Sequence, residues 1–138
     1  MSDPSTVANV AVKGAAPIWQ RRSRWLLQVF APVLIATGIA GFVIPPAASL
    51  MSGAPAYNVF HIIAGSLGAA LALTGSAAAA SAFNVGFGAI DLYQAVAGLA
   101  GLPPAQLFAL RPADHVVHVV LGALLVAVGW RGRPGVNG

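Results

Sequence analysis

The feature that most constrains this chain is how little charge it carries along its length. Between Arg24 and Arg111, the one formally charged residue is Asp91. Of all 138 residues, 7% are charged and 58% are hydrophobic, whereas a soluble domain carries about 25% charged residues. Because so few charges would not keep a soluble surface hydrated, we expect the apolar residues to face lipid.

Breaks rich in proline and glycine divide the apolar sequence into four predicted membrane spans. We place these spans at residues 25–44, 57–75, 82–102 and 113–130, near the ~20 helical residues that cross a bilayer. Pro45-Pro46 and Pro103-Pro104 end the first and third spans, because proline lacks an amide hydrogen. The first apolar run exceeds a signal-peptide core, so we interpret it as a retained span. A polar N-terminal segment (1–24) and a tail (131–138) are expected to be cytoplasmic.

The basic residues predict the orientation. Six flank the first and last spans, and Arg111 alone lies in a loop on the other side. Lys and Arg accumulate on the cytoplasmic side, which places both termini there. These charges adjoin apolar segments, so the excess of basic over acidic residues indicates membrane orientation and not a nucleic-acid partner. The six residues are Lys13, Arg21, Arg22, Arg24, Arg131 and Arg133.

The two halves of the sequence resemble each other at a shift of 57 residues. Chance matching in a sequence rich in Gly and Ala is the alternative, but the chain has only three histidines and two of them match. The expected fold is therefore all-α: a four-helix transmembrane bundle built from two duplicated helical hairpins. The matched pairs are Gly41/Gly98, Pro46/Pro103, Asn58/His115, His61/His118 and Gly65/Gly122.

Small residues on the predicted spans indicate close helix packing. Lipid gives no hydrophobic drive between helices, so backbone approach at glycine matters. Packing within the bundle is the favoured interpretation, and docking against foreign transmembrane helices is the alternative. The glycines assigned to helix packing are Gly38, Gly41, Gly65, Gly68, Gly98 and Gly122.

Asp91 is an ionisable residue in the middle of the third span. A charge at mid-bilayer costs roughly 2.5–3.5 kcal/mol, so Asp91 should face the bundle and have a partner. The candidate partners are His61, His118, Gln94 and Tyr93. A proton relay in a small proton-coupled transporter is the functional alternative. A hydrogen-bonded Asp that fixes helix packing is the favoured interpretation.

His61 and His118 lie about one turn inside the outer ends of the second and fourth spans, at equivalent depths. They could bind a cofactor, either as two axial ligands of a haem or as single ligands of a chlorophyll. Interfacial hydrogen bonding is the favoured alternative. Asp114 suits the N-cap of the last span, with His115 at the surface and Arg111 as its pairing residue.

Two sequence blocks, residues 58–65 and 111–122, resemble a family of small four-span bacterial membrane proteins of unknown function. In that family the second span begins Asn-x-x-His and the last begins Asp-Asn-x-x-His, each followed by glycine. Here His115 stands where the family has Asn. The resemblance covers about residues 25–130 and implies the four-helix architecture but no activity.

No catalytic motif is present, and the absence of cysteine excludes cysteine-ligated zinc and iron–sulfur clusters. No other metal site is predicted. We therefore expect a non-enzymatic accessory or structural subunit. It would pack against transmembrane partners in a larger complex, respiratory or photosynthetic. The cofactor-binding and transporter alternatives stand beside this expectation.

Overall fold

The computed structural model describes residues 17–135. Over that range the chain is all-helical without strands, so the predicted class is confirmed. The helices are α1 (Ile18–Val43), α2 (Pro55–Thr74), α3 (Ala77–Ala100), α4 (Ala105–Phe108) and α5 (Pro112–Arg131), with a 3₁₀ turn at Pro46–Ala48. Residues 1–16, including Lys13, and 136–138 lie outside the described range, and with them part of the two predicted cytoplasmic segments.

Local chemistry accounts for most of the helix ends. Pro55 and Pro112 occupy the first positions of α2 and α5, where the missing amide costs no hydrogen bond. The Ser76 hydroxyl caps α3 by accepting from the Ala79 amide at 3.1 Å. Gly101, with φ +67°, ends α3 in the left-handed conformation that glycine favours.

Helix α1 begins earlier than the span predicted at residue 25. It starts at Ile18, so Arg21, Arg22 and Arg24 lie on its first turns. The reason is that arginine is a good helix former and three charges do not stop a helix. Arg24 also reaches across to α2 and donates to the carbonyls of Ala72 and Leu73 at 3.0 and 3.2 Å.

The helices pack as two close pairs, α1 with α2 and α3 with α5. A buried cluster of Phe30, Leu34, Ala64, Phe87 and Leu125 joins the two pairs at the centre. The first turn of α1 lies beside the last turn of α5, since the Arg131 guanidinium is 5.0 Å from the Trp19 ring. Both ends of the described chain therefore lie at the same end of the bundle.

All six glycines assigned to packing lie at contacts between helices. A Cβ on Gly65 would lie 2.8 Å from the Ala31 carbonyl oxygen, and one on Gly122 would lie 2.8 Å from that of Gly88. Gly38 faces the Asn58 carbonyl, and Gly68 faces Leu27 and Phe83. Gly41 and Gly98 leave room for the side chains of Asn58 and His115 respectively. The helix pairs therefore approach at backbone distance.

Three helices of the described range, α1, α2 and α5, are long and apolar enough to cross a membrane. With large apolar side chains exposed on the outside of the bundle, they indicate a membrane protein surrounded by lipid. The sequence predicted four spans, and α3 is not among these three. Its 24 residues include Asn84, Asp91 and Gln94, which lower its hydropathy, yet all three side chains are buried.

Candidate functional site

Asp91 lines a small, largely enclosed cavity of about 100 Å³ between the helices. Tyr57, His61 and His118 line it too, so α2, α3 and α5 each contribute a polar side chain. The remaining wall is mostly apolar, from α1, α5 and the loop after α1. That wall consists of Phe30, Val33, Leu34, Thr37, Met51, Val117 and Leu121.

Tyr57 lies between the two histidines. Its hydroxyl is 2.7 Å from His118 Nε2 and donates to Asp114 Oδ1 at 3.3 Å. Its ring centroid is 4.2 Å from that of His61. A phenol has one hydrogen and an ionised carboxylate only accepts. The one phenol hydrogen therefore serves Asp114 or His118 but not both, and which of them it serves depends on the tautomer of His118.

Asp114 anchors the loop after α1 over the cavity. Its Oδ2 accepts from the Ser52 amide at 2.9 Å and from the Arg111 amide at 2.7 Å. The Ser52 hydroxyl in turn donates to the Phe108 carbonyl in α4 at 2.6 Å. The fully buried Asp114 therefore holds donors from three segments: the loop, α2 and the start of α5.

Two expectations about the start of α5 were wrong. Asp114 is the third residue of the helix, and Arg111 occupies the N-cap position. Asp114 therefore accepts the Arg111 amide from inside the helix. The Arg111 guanidinium does not pair with the carboxylate. It donates to the carbonyls of Pro46 and Ser49 at 3.0 and 2.5 Å, because those loop oxygens lie within reach and need donors.

His61 and Asp91 are buried without hydrogen bonds. Their exposed fractions are 6% and 3%, and across residues 17–135 neither the His61 ring nitrogens nor the Asp91 carboxylate has a protein hydrogen-bond partner. A buried polar group without a partner costs roughly 1–3 kcal/mol. Both side chains line the same cavity, so a molecule within it could satisfy both.

The four candidate partners of Asp91 divide into two pairs. His61 and His118 share its cavity, although neither is hydrogen-bonded to it. Gln94 is buried on the same helix but does not line the cavity, and Tyr93 is exposed and donates to the Pro103 carbonyl at 2.8 Å. His115, expected at the surface, is half-buried because it packs on Gly98.

The cavity does not fit a tetrapyrrole held between His61 and His118. Pockets for drug-sized ligands measure about 300–1,000 Å³, against about 100 Å³ here, and the Tyr57 ring stands against both imidazoles. Both histidines are also too buried to reach a pigment on the lipid-facing surface. Among the described residues, no group of three or more His, Cys, Asp and Glu side chains could hold a metal ion.

Sequence reasoning missed Tyr57, Ser52 and Phe108 as parts of this site. One signal was available for Tyr57, which lies 57 residues before Asp114 and so at the repeat-equivalent position. Nothing in the sequence marks Ser52, whose place depends on how the loop after α1 folds onto α4 and α5.

These features define a small all-helical membrane protein with a buried polar centre. Residues 47–131 match the family model described as a domain of unknown function, DUF4383. The match covers more than half of the chain, which therefore belongs to this family. No curated protein and no solved structure matches the chain.

Proposed function

We propose that this protein is a non-enzymatic accessory subunit of a larger complex in the bacterial inner membrane. In this proposal it crosses the bilayer four times and binds a partner's transmembrane helix in a groove between α2 and α3. The groove is the observation that carries the proposal. Its volume is about 360 Å³ and its lining is apolar: Phe60, Ile63, Ala64, Leu67, Phe83, Gly86, Phe87 and Ile90.

The shape of this groove favours a helix as its occupant. Gly88 and Gly98 of α3 lie against neighbouring helices, but Gly86 does not. No described atom lies within 4 Å of a Cβ added at Gly86. Phe60, Phe83 and Phe87 stack with centroid separations of 5.6–5.9 Å and form a firm wall. A small residue beside a rigid apolar wall allows a second helix to approach closely, as transmembrane association requires.

A fourth span at α3 is supported by its length and by the direction of its polar groups. Its 24 residues give a helix of ~36 Å, longer than a hydrocarbon core of ~30 Å. Asn84, Asp91 and Gln94 are buried, whereas Ile90, Val96 and Leu99 are exposed. The surface that α3 would present to lipid is therefore apolar.

The charge distribution supports cytoplasmic termini. Arg22 and Arg131 lie over the Trp19 ring at 4.8 and 5.0 Å, and Arg133 lies over Trp130 at 4.4 Å. This basic, tryptophan-rich end has the composition of a cytoplasmic interface. Arg111, the N-cap residue of α5, lies at the opposite end and donates to carbonyls of the loop after α1.

Duplication of a hairpin is supported by equivalent contacts. Helices α2 and α5 both have 20 residues, and both begin with proline. Gly65 approaches the Ala31 carbonyl as Gly122 approaches that of Gly88, and each of these four residues has its counterpart 57 positions away. The Gly41–Asn58 contact likewise corresponds to the Gly98–His115 contact at a shift of 57 residues. We propose that α1–α2 and α3–α5 descend from one hairpin.

The test uses a filled groove and a matched control on the same helix. Gly86→Trp places an indole in the groove, whereas Ala89→Trp places one on an exposed position outside its lining. After extraction from the native membrane, wild type and Ala89→Trp should migrate on a native gel with their partner, and Gly86→Trp should not. Migration of the wild type only as a lone small species would contradict the proposal.

The transporter alternative has Asp91 and its cavity in its favour. Toward the end of the bundle that carries the termini, however, an apolar cluster closes the cavity. Phe30 and Leu34 of this cluster line the cavity, and Phe87 and Leu125 pack behind them. A proton pathway needs polar groups or water along its whole length. Identical proteoliposome flux in wild type and Asp91→Asn would dismiss this alternative.

The cofactor alternative is tested by an absorption spectrum of the purified protein. A tetrapyrrole bound through His61 or His118 would give a coloured preparation whose spectrum changes in His118→Ala. The size of the cavity leads us to expect a colourless one.

A further inference from the structure

The cavity at Asp91 has the composition of a binding site. Small-molecule sites are concave and mostly apolar, with a few polar groups that fix orientation. Here the apolar wall surrounds Tyr57, His61, Asp91 and His118. Two of these, His61 and Asp91, are more than nine-tenths buried and lack protein partners in the described chain. The site therefore presents unused hydrogen-bonding capacity in an apolar surrounding.

One wall of the cavity faces the outside of the bundle. Its wall between α1 and α5 is made of Val33, Thr37, Val117 and Leu121, and the Val33 side chain is 51% exposed. These two helices pack together less closely than the α1–α2 and α3–α5 pairs. A molecule dissolved in the membrane can therefore enter between α1 and α5 and leave its apolar chain there.

The charges around the cavity exclude an anionic head. Among the described residues no Lys or Arg lines it, and Arg111, on the loop above, is held by the Pro46 and Ser49 carbonyls. A phosphate or sulfate placed beside Asp91 would have no cation to balance it, and burying an unpaired charge is costly. An uncharged head with a carbonyl or hydroxyl oxygen meets no such cost.

The available volume also restricts the head. At about 100 Å³ it is equivalent to about three water molecules, each occupying about 30 Å³ in the liquid. A hydroxyl group or one carbonyl edge of a ring fits within that space. Its oxygen can accept from His61, and a hydroxyl can also donate to Asp91.

We propose that this cavity binds the uncharged carbonyl or hydroxyl head of a membrane-soluble amphiphile, with His61 and Asp91 as its hydrogen-bonding pair. The apolar chain passes out between α1 and α5, beside Val33 and Leu121. The site shares no lining residue with the α2–α3 groove. Binding of the amphiphile and binding of a partner helix can therefore fail separately.

The experiment measures saturable binding to the full chain in lipid nanodiscs by native mass spectrometry. The probes are a decyl-substituted benzoquinone, which carries a carbonyl head, and farnesol, which carries a hydroxyl head. Decane is the headless control. At least one head-bearing probe should saturate at one molecule per chain, and decane should not. The proposal would be overturned if neither head-bearing probe saturates, or if decane binds as well as they do. Water would then be the expected occupant of the cavity.

Variants identify the site. Asp91→Leu introduces the residue found at the repeat-equivalent position, Leu34. It should weaken binding about 10-fold, a change of ~1.4 kcal/mol that is within the range of one lost hydrogen bond. Gln94→Leu, one turn away on the same helix but outside the lining, is the matched control and should bind as wild type.

A surface variant covers the case in which Asp91→Leu does not fold. Val33→Trp closes the side of the cavity between α1 and α5 without touching His61 or Asp91, and it should abolish binding of both probes. Wild-type affinity in Val33→Trp, or in a folded Asp91→Leu, would overturn the assignment.

Discussion

At the scale of single residues, Asp114 and Asp91 are two buried carboxylates with opposite surroundings. Asp114 accepts hydrogen bonds from Ser52, Arg111 and Tyr57, whereas Asp91 has no protein donor within residues 17–135. Hydrogen bonds to a charged group contribute about 1.5–3 kcal/mol, and a donor left without its acceptor costs about as much. The two residues should therefore differ in their effect on stability.

We expect Asp114→Asn to lower the free energy of unfolding by about 3 kcal/mol. The amide keeps one acceptor oxygen but turns an NH₂ group toward donors that already need an acceptor. The loss is measured by denaturing titration of the purified protein in detergent, followed by circular dichroism.

Asp91→Asn is the matched control for that variant. In detergent without ligand, no hydrogen bond in the described chain is lost, so we expect the free energy of unfolding to change by less than about 1 kcal/mol. Equal destabilisation by the two substitutions would show that the network around Asp114 does not stabilise the fold as its geometry indicates.

At the scale of helices, the fold depends on backbone contact within each close pair. We expect Gly122→Ala to destabilise the protein by about 1–3 kcal/mol, as overpacking does. The added methyl would lie 2.8 Å from the Gly88 carbonyl oxygen, and relieving that contact requires α3 and α5 to separate. Thermal unfolding in detergent measures the effect.

Gly86→Ala is the control, on the open side of α3. No described atom lies within 4 Å of the new methyl, and replacing a mid-helix glycine by alanine favours the helix by roughly 0.5–1 kcal/mol. We expect a small gain in stability. A loss as large as that of Gly122→Ala would mean that glycine content, and not close contact, governs these helices.

The sequence predicted the bounds of two helices closely, but it did not predict how the side chains meet in the interior. The spans predicted at 57–75 and 113–130 lie within two residues of α2 and α5 at each end, because proline and hydropathy are local signals. The site was found in part: Asp91, His61 and His118 do line one cavity. The network of Ser52, Tyr57 and Asp114 depends on loop folding and helix rotation, which a single sequence does not encode locally.

At the scale of the whole molecule, the positions of the helix ends bear on the number of crossings. The start of α1 and the end of α5 lie together, as the Trp19–Arg131 contact at 5.0 Å shows. The end of α2 lies near that same place, because Arg24 donates to Ala72 and Leu73. Helix α3 begins there, beside Gly129 of α5. If α1, α2 and α5 each cross the membrane, α3 must cross as well, since three crossings would separate the two ends.

We therefore expect reporter insertions into the otherwise complete chain to alternate in sidedness. Alkaline phosphatase, which is active only outside the cytoplasm, should be inactive when inserted after Gly75 and active when inserted after Gln106. A fluorescent protein that folds only in the cytoplasm should fluoresce when fused after Gly138. We expect this orientation because basic residues, such as those at the start of α1 and the end of α5, are in excess on the cytoplasmic side of membrane proteins. Equal phosphatase activity at Gly75 and Gln106 would remove α3 from the set of spans, and with it the apolar face that the partner groove requires.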